Sequence, residues 1–126
     1  VFKLMAIEYK NSLNNVTSTG SDQVVYTCPT STSLLKYMAI VKGFTIYNTT
    51  GGAGTVDIKV VDTSAGVTAR TVKHFTASDF TTKVTVNAVS EGPIVLESAD
   101  ILKIDTSVAA NVLISVMEIS DELRGV

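Results

Sequence analysis

The sequence predicts an all-β chain, folded as an antiparallel β-sandwich or jelly roll of about eight or nine short strands. Three observations carry this. Valine and threonine are the commonest of its 126 residues, and both are β-branched, which suits a half-buried pleated surface better than a helix. Short runs of alternating apolar and polar residues recur, each closed by a turn signal, at intervals of about 8–12 residues. No segment of helical length carries a 3.6-residue apolar period. One domain accommodates the length, and it is long enough to bury roughly two-thirds of its unfolded surface without a disulfide or metal staple.

In chain order, residues 1–22 read as an extended N-terminal arm followed by a polar loop. Phe2, Leu4 and Ala6 alternate with Met5, Ile7 and Tyr9. An Asn/Ser/Thr/Gly tract then fills residues 11–22. Met5 opens M-A-I-E-Y-K, which reads as a natural start and leaves residues 1–4 as an upstream extension or an alternative initiation. Residues 23–120 form the sandwich domain. Its first strand, 23–28, stops at Pro29. Residues 34–47 are the longest apolar stretch, with Gly43 in the middle. A lone glycine there predicts a β-bulge, which switches side chains between faces and buries Phe44. The segment N-T-T-G-G-A-G, residues 48–54, reads as a flexible hairpin connection. Clean alternation then places Val56 and Ile58 inward, a strand follows at 67–75, and 81–88 alternates with Val84 and Val86 inward. Residues 94–96, 101–105 and 112–119 are three more strands, and 121–126 read as a loose C-terminal tail. The expected core is Phe44, Ile46, Val56, Ile58, Val84, Val86, Leu102, Ile104, Ile114 and Val116.

The chemistry of the side chains points away from catalysis. His74 is the single histidine and Cys28 the single cysteine, so neither a histidine metal cluster nor an internal disulfide can be built. A Cys28/His74 nucleophile pair reads better as a small core hydrophobe and a strand residue. A Ser/His/Asp triad lacks the G-x-S-x-G elbow. The carboxylates stand singly, without a calcium-loop pattern. G-G-A-G at 51–54 lacks the lysine and helix of a phosphate loop. No cofactor, metal or catalytic residue is expected. Charged residues are only 17% of the chain, the net charge is −2, and the ten basic residues are scattered singly, so no nucleic-acid face is expected. No apolar run is long enough for a membrane-spanning helix. The four tyrosines, Tyr9, Tyr26, Tyr37 and Tyr47, leave a sugar-stacking patch as a rival reading.

Several stretches in fixed order carry a resemblance: V-V-Y-T-C-P (24–29), A-I-V-K-G-F-T-I-Y-N-T-T-G-G (39–52), L-E-S-A-D-I-L-K (96–103) and V-M-E-I-S (116–120). Together, over about residues 25–120, they resemble small β-sandwich virion structural proteins of tailed bacteriophages, of the marine and cyanobacterial type. The resemblance implies a non-enzymatic part of a phage particle, made in the bacterial host cytoplasm. The reading it favours is a capsid decoration (cement) protein on the outside of the shell, bound to the major capsid protein or another virion structural protein. It implies a homo-oligomer, with a trimer favoured. Alternatives are a neck, tail or fibre-associated virion protein and a carbohydrate-binding module that contacts host glycans. Where the family usually carries glycine in the L-E-x-G-D turn, this chain has Ala99, which would be strained if that turn needs a left-handed backbone. The interface expected on physical grounds is the arm: Phe2, Leu4, Ile7 and Tyr9 would pair with a neighbouring subunit or the capsid surface.

Overall fold

Among the described residues, nine strands form two antiparallel sheets. The computed structural model describes residues 2–17, 19–63 and 65–124, with the backbone alone described at 2–4 and 123–124. The strands are β1 (Phe2–Val16), β2 (Gln23–Thr27), β3 (Leu35–Asn48), β4 (Val56–Asp62), β5 (Val67–Phe75), β6 (Thr85–Asn87), β7 (Ile94–Leu96), β8 (Ile101–Thr106) and β9 (Ala110–Arg124). Among the described residues there is no helix. The larger sheet has the order β1-β9-β3-β6, with β7 also paired to β3; the smaller has the order β2-β8-β4-β5.

The pairings are nested: β1 with β9, β2 with β8, β3 with β6 and β7, β4 with β5. That is a long hairpin rolled on itself, the jelly-roll form of the sandwich. β6 and β7 share one strand position beside β3. β6 pairs with residues 45–47 and β7 with 39–41. The break between them holds Gly92, at φ 137, and Pro93, which has no N–H for a ladder.

That break lies opposite the bulge in β3, where the register against β9 shifts between Val41 and Gly43. Before the bulge Ala39 and Val41 point into the core; after it Phe44, Ile46 and Asn48 do. Without the extra residue Phe44 would share the outward side with Lys42. The expected core residues Phe44, Ile46, Val56, Ile58, Leu102, Ile104, Ile114 and Val116 are all buried. Val84 and Val86 are half-buried at its margin. The strand expected over 81–88 shrinks to β6, because Lys83 takes a left-handed backbone (φ 56) that breaks the pleat. Phe80, in the turn before it, fills the core instead.

Three expectations about connections are corrected. Residues 11–16, read as loop, continue β1, since their backbone pairs with β9 from Asn11 opposite Ser115 to Val16 opposite Ala110. Residues 121–124, read as tail, continue β9 opposite residues 2–5. The link between β3 and β4 is no hairpin, because these strands belong to different sheets. It crosses the top of the sandwich, and Gly54 in it is buried so tightly that a Cβ would stand 2.5 Å from Val108 Cγ2.

Ala99 has φ 63. The turn that imposes this is locked from both sides: the buried Asp100 carboxylate accepts from Glu97 N at 2.9 Å and from Thr63 N at 3.0 Å. A left-handed alanine costs about 1–2 kcal/mol, and glycine gives back part of that relief as unfolded-chain entropy. Ala99→Gly is therefore expected to stabilise the fold by about 0.5–1 kcal/mol, read as a higher urea midpoint at unchanged m-value.

Candidate functional site: the outer face of the larger sheet

β1 is amphipathic in the reverse of the usual sense. Among its described side chains, the positions facing the smaller sheet carry Ala6, Glu8, Lys10, Ser12 and Asn14, and only Val16 there is buried. Ser12 and Asn14 donate to the Val25 carbonyl of β2, so polar side chains bridge the two sheets at this edge. The opposite, solvent side carries Met5, Ile7, Tyr9 and Leu13, which are 51% to 77% exposed.

Residues directly opposite one another in a sheet point to the same side. The register therefore extends this apolar side across three further strands. One row reads Ile7, Ile119, Met38; the next reads Tyr9, Met117, Ile40, Val95. Met38 and Val95 are exposed, while Ile40, Met117 and Ile119 are half-buried by their neighbours. A polar row, with Ser115 Oγ donating to Asn11 Oδ1 at 2.7 Å, separates these from a smaller pair, Leu13 and Leu113. β1 also forms the end of the sheet order, so this apolar surface reaches the sheet's rim.

Of the four residues expected to form an interface, Ile7 and Tyr9 lie on this face. Phe2 and Leu4 are placed by backbone alone, opposite Arg124 and Glu122; their side chains lie outside the described residues. The contributions of Met38, Val95, Met117 and Ile119 were not visible in the sequence, since only the strand register puts them beside Ile7 and Tyr9.

Beneath the same edge lies a small polar cleft of about 180 Å³ lined by Glu8, Lys10, Pro29, Tyr37 and Glu118. Glu118 is buried, its carboxylate accepting from the Tyr26 hydroxyl and paired with Lys10 Nζ at 2.9 Å. Burial, reinforced by Glu118, pushes the Tyr26 hydroxyl well above the ordinary tyrosine range. The hydrogen bond to Glu118 raises Lys10 as well. These shifts all favour the proton arrangement already in place, which makes the cluster a tie between β1, β2 and β9.

Cys28 is wholly buried, with its thiol directed at the Leu96 carbonyl 3.9 Å away. Burial, then the charges of Glu118 and Asp100, push it from 9.0 up to about 11. His74 is far more open and pairs through Nδ1 with Asp57 at 2.7 Å. Ser90 lines the same open depression as His74, yet its hydroxyl makes no hydrogen bond to the ring among the described residues. Among the described residues, no hydrogen bond joins His74 to Cys28 or to Ser90. Since the folded-state pKa of Cys28 is raised, the stability this shift contributes is complete below pH 9 and lost as the pH climbs to about 11. A melting temperature followed from pH 8 to 11 is expected to fall less steeply in Cys28→Ala than in the parent chain.

The tyrosines do not gather. Tyr9 and Tyr47 lie on the outer face, opposite Met117 and Asn111, six residues apart along β9. Tyr26 and Tyr37 pack against the core. Among the described residues no group of three His, Cys, Asp or Glu side chains could hold a metal ion, and no helix is long and apolar enough to cross a membrane.

No protein-family model matches the sequence, and no curated protein matches it. Among solved structures, the chain is similar to one from Bacillus endospore appendages, which form disulfide-linked pili. The TM-score is 0.48 and the identity 16%, over 96% of this chain and 92% of that one. It is also similar to a chain of infectious bursal disease virus, Gx strain (TM-score 0.38, 10% identity, 96% and 37% covered). A third similarity is to VP2 of that virus in a subviral particle (TM-score 0.31, 15% identity, 96% and 36% covered). The chain spans little more than a third of the length of the two viral chains.

Proposed function

We propose that this chain is a non-enzymatic structural subunit of a bacteriophage particle, a decoration protein seated on the outside of the shell against the major capsid protein. One observation carries the structural half of this reading. A strand at the rim of the larger sheet turns its apolar side chains to water and its polar ones inward. Monomers avoid wide apolar surface and exposed sheet edges, so a surface built this way is built to be covered. The phage half rests on the resemblance of the strand and turn segments. Repetition over a symmetric shell would multiply a modest contact by avidity.

The experiment is reconstitution. Purified chain is added to phage particles that lack it, and bound copies are counted after sedimentation. Saturation at a copy number tracking the major capsid protein supports decoration. Saturation at a few copies per particle moves the chain to the neck or tail, and no binding overturns the virion reading. Deleting residues 2–10 removes Met5, Ile7 and Tyr9, and loss of that covered face and of the avidity it supports is expected to weaken binding at least tenfold.

A further inference from the structure

The geometry points to a second copy of this chain as the occupant of the outer face of the larger sheet, packed face to face about a two-fold axis. The inference rests on the reading of the chain as an assembling subunit and names the partner of that surface.

Extent is the first argument. Taken at their exposures, Met5, Ile7, Tyr9, Met38 and Val95, with the half-buried residues between them and the Leu13/Leu113 pair beyond, present roughly 800 Å² of side-chain surface, close to the ~800 Å² per partner of a standard stable interface. Charge is the second. The two central rows, Ile7-Ile119-Met38 and Tyr9-Met117-Ile40-Val95, contain no ionisable group other than the Tyr9 phenol. Around them, Asp121 and Lys36 stand directly opposite each other in register and the exposed Lys42 lies outward at the bulge, so the charges there are of both signs. A surface of this kind can meet its own copy without burying like charges, which would cost several kcal/mol against itself.

Shape is the third argument. The face is a sheet surface, and two such surfaces pack about 10 Å apart with interdigitated side chains. A self-complementary patch closes as an isologous pair. The oligomer that follows is therefore a dimer, in place of the trimer implied by the resemblance. It leaves the outer surface of the smaller sheet on the outside of the pair.

Sedimentation equilibrium of the full chain, without particles, tests this. The expected mass is twice the 13.3 kDa of one chain. Ile7→Glu and Tyr9→Glu are each expected to weaken the pair about 30-fold or more, since each buries an unpaired charge in one of the two apolar rows. Met38→Lys tests the same face from β3, so the result does not hang on β1 alone. Val72→Glu, at an exposed position on β5 of the other sheet, should leave the dimer unchanged. Circular dichroism confirms that each variant is folded. A full chain that stays monomeric at about 100 µM overturns the inference, as does a dimer indifferent to all three face substitutions. A monomer that still coats particles, and loses that ability with Ile7→Glu, assigns the face to the shell; the virion reading then stands and the dimer falls. A dimer that never binds particles does the reverse.

Discussion

Phe44→Ala is expected to destabilise the fold by about 3–5 kcal/mol, a large share of the roughly 5–15 kcal/mol that holds a small domain together. Phe44 has no exposed surface and is among the largest side chains in the core. It sits one residue past the bulge, at the point where β3 changes the side it presents, and its carbonyl accepts from Ala88 N at 2.8 Å. Truncation leaves a cavity where the two short strands β6 and β7 part, and backbone tied to a bulge and a broken strand is poorly placed to collapse into it. Urea denaturation followed by fluorescence and by far-ultraviolet dichroism measures the loss. An unchanged midpoint would refute the placement of this ring.

Asn48→Ala is expected to cost about 3 kcal/mol, for a different reason. Asn48 is fully buried at the end of β3, with every polar atom of its side chain engaged. Its amide donates to the carbonyls of Gly52 at 2.9 Å and Thr81 at 3.0 Å, and more weakly to Phe80. Its oxygen accepts from the Thr50 amide at 2.9 Å and the Thr50 hydroxyl at 2.7 Å. One side chain thus shapes its own loop and ties it to the turn before β6. Alanine would strand these groups with little water to replace the amide. Asn48→Asp should cost at least as much, since it removes the donor and aims negative charge at carbonyl oxygens. Loss of midpoint, with faster hydrogen exchange at the Thr50 amide, checks the prediction.

These two residues mark how far the sequence could be read. Phe44 was legible because a glycine interrupting an apolar strand has a known consequence, and alternation around Val56, Ile58, Ile114 and Val116 named core residues directly. Asn48 reads from sequence as part of a flexible hairpin, because residue types at a turn do not tell whether the chain returns to the same sheet or crosses to the other. The Asn/Ser/Thr tract after Tyr9 looked like loop for a related reason. Residues 11–16 have weak strand propensity, and their β structure comes from a long backbone ladder with β9, a partner about a hundred residues away in sequence. The apolar face was half visible, as Ile7 and Tyr9, until register supplied the rest. Phe80 left no periodic signal, being a single anchor in a turn.

The nesting of the strands also sets a schedule. β9, the last strand, runs between β1 and β3 in the middle of the larger sheet. A chain emerging from the ribosome at about 5–20 residues per second completes β1 roughly 5–20 s before β9 is available to receive it. During that interval the first strand carries Met5, Ile7 and Tyr9 with no sheet behind them, the period in which such segments are most exposed to chaperones and to premature association. Pairing of such distant segments is also slow once both exist. The apolar outer face therefore comes into being only as β9 inserts, so any ordered contact through that face waits for β9.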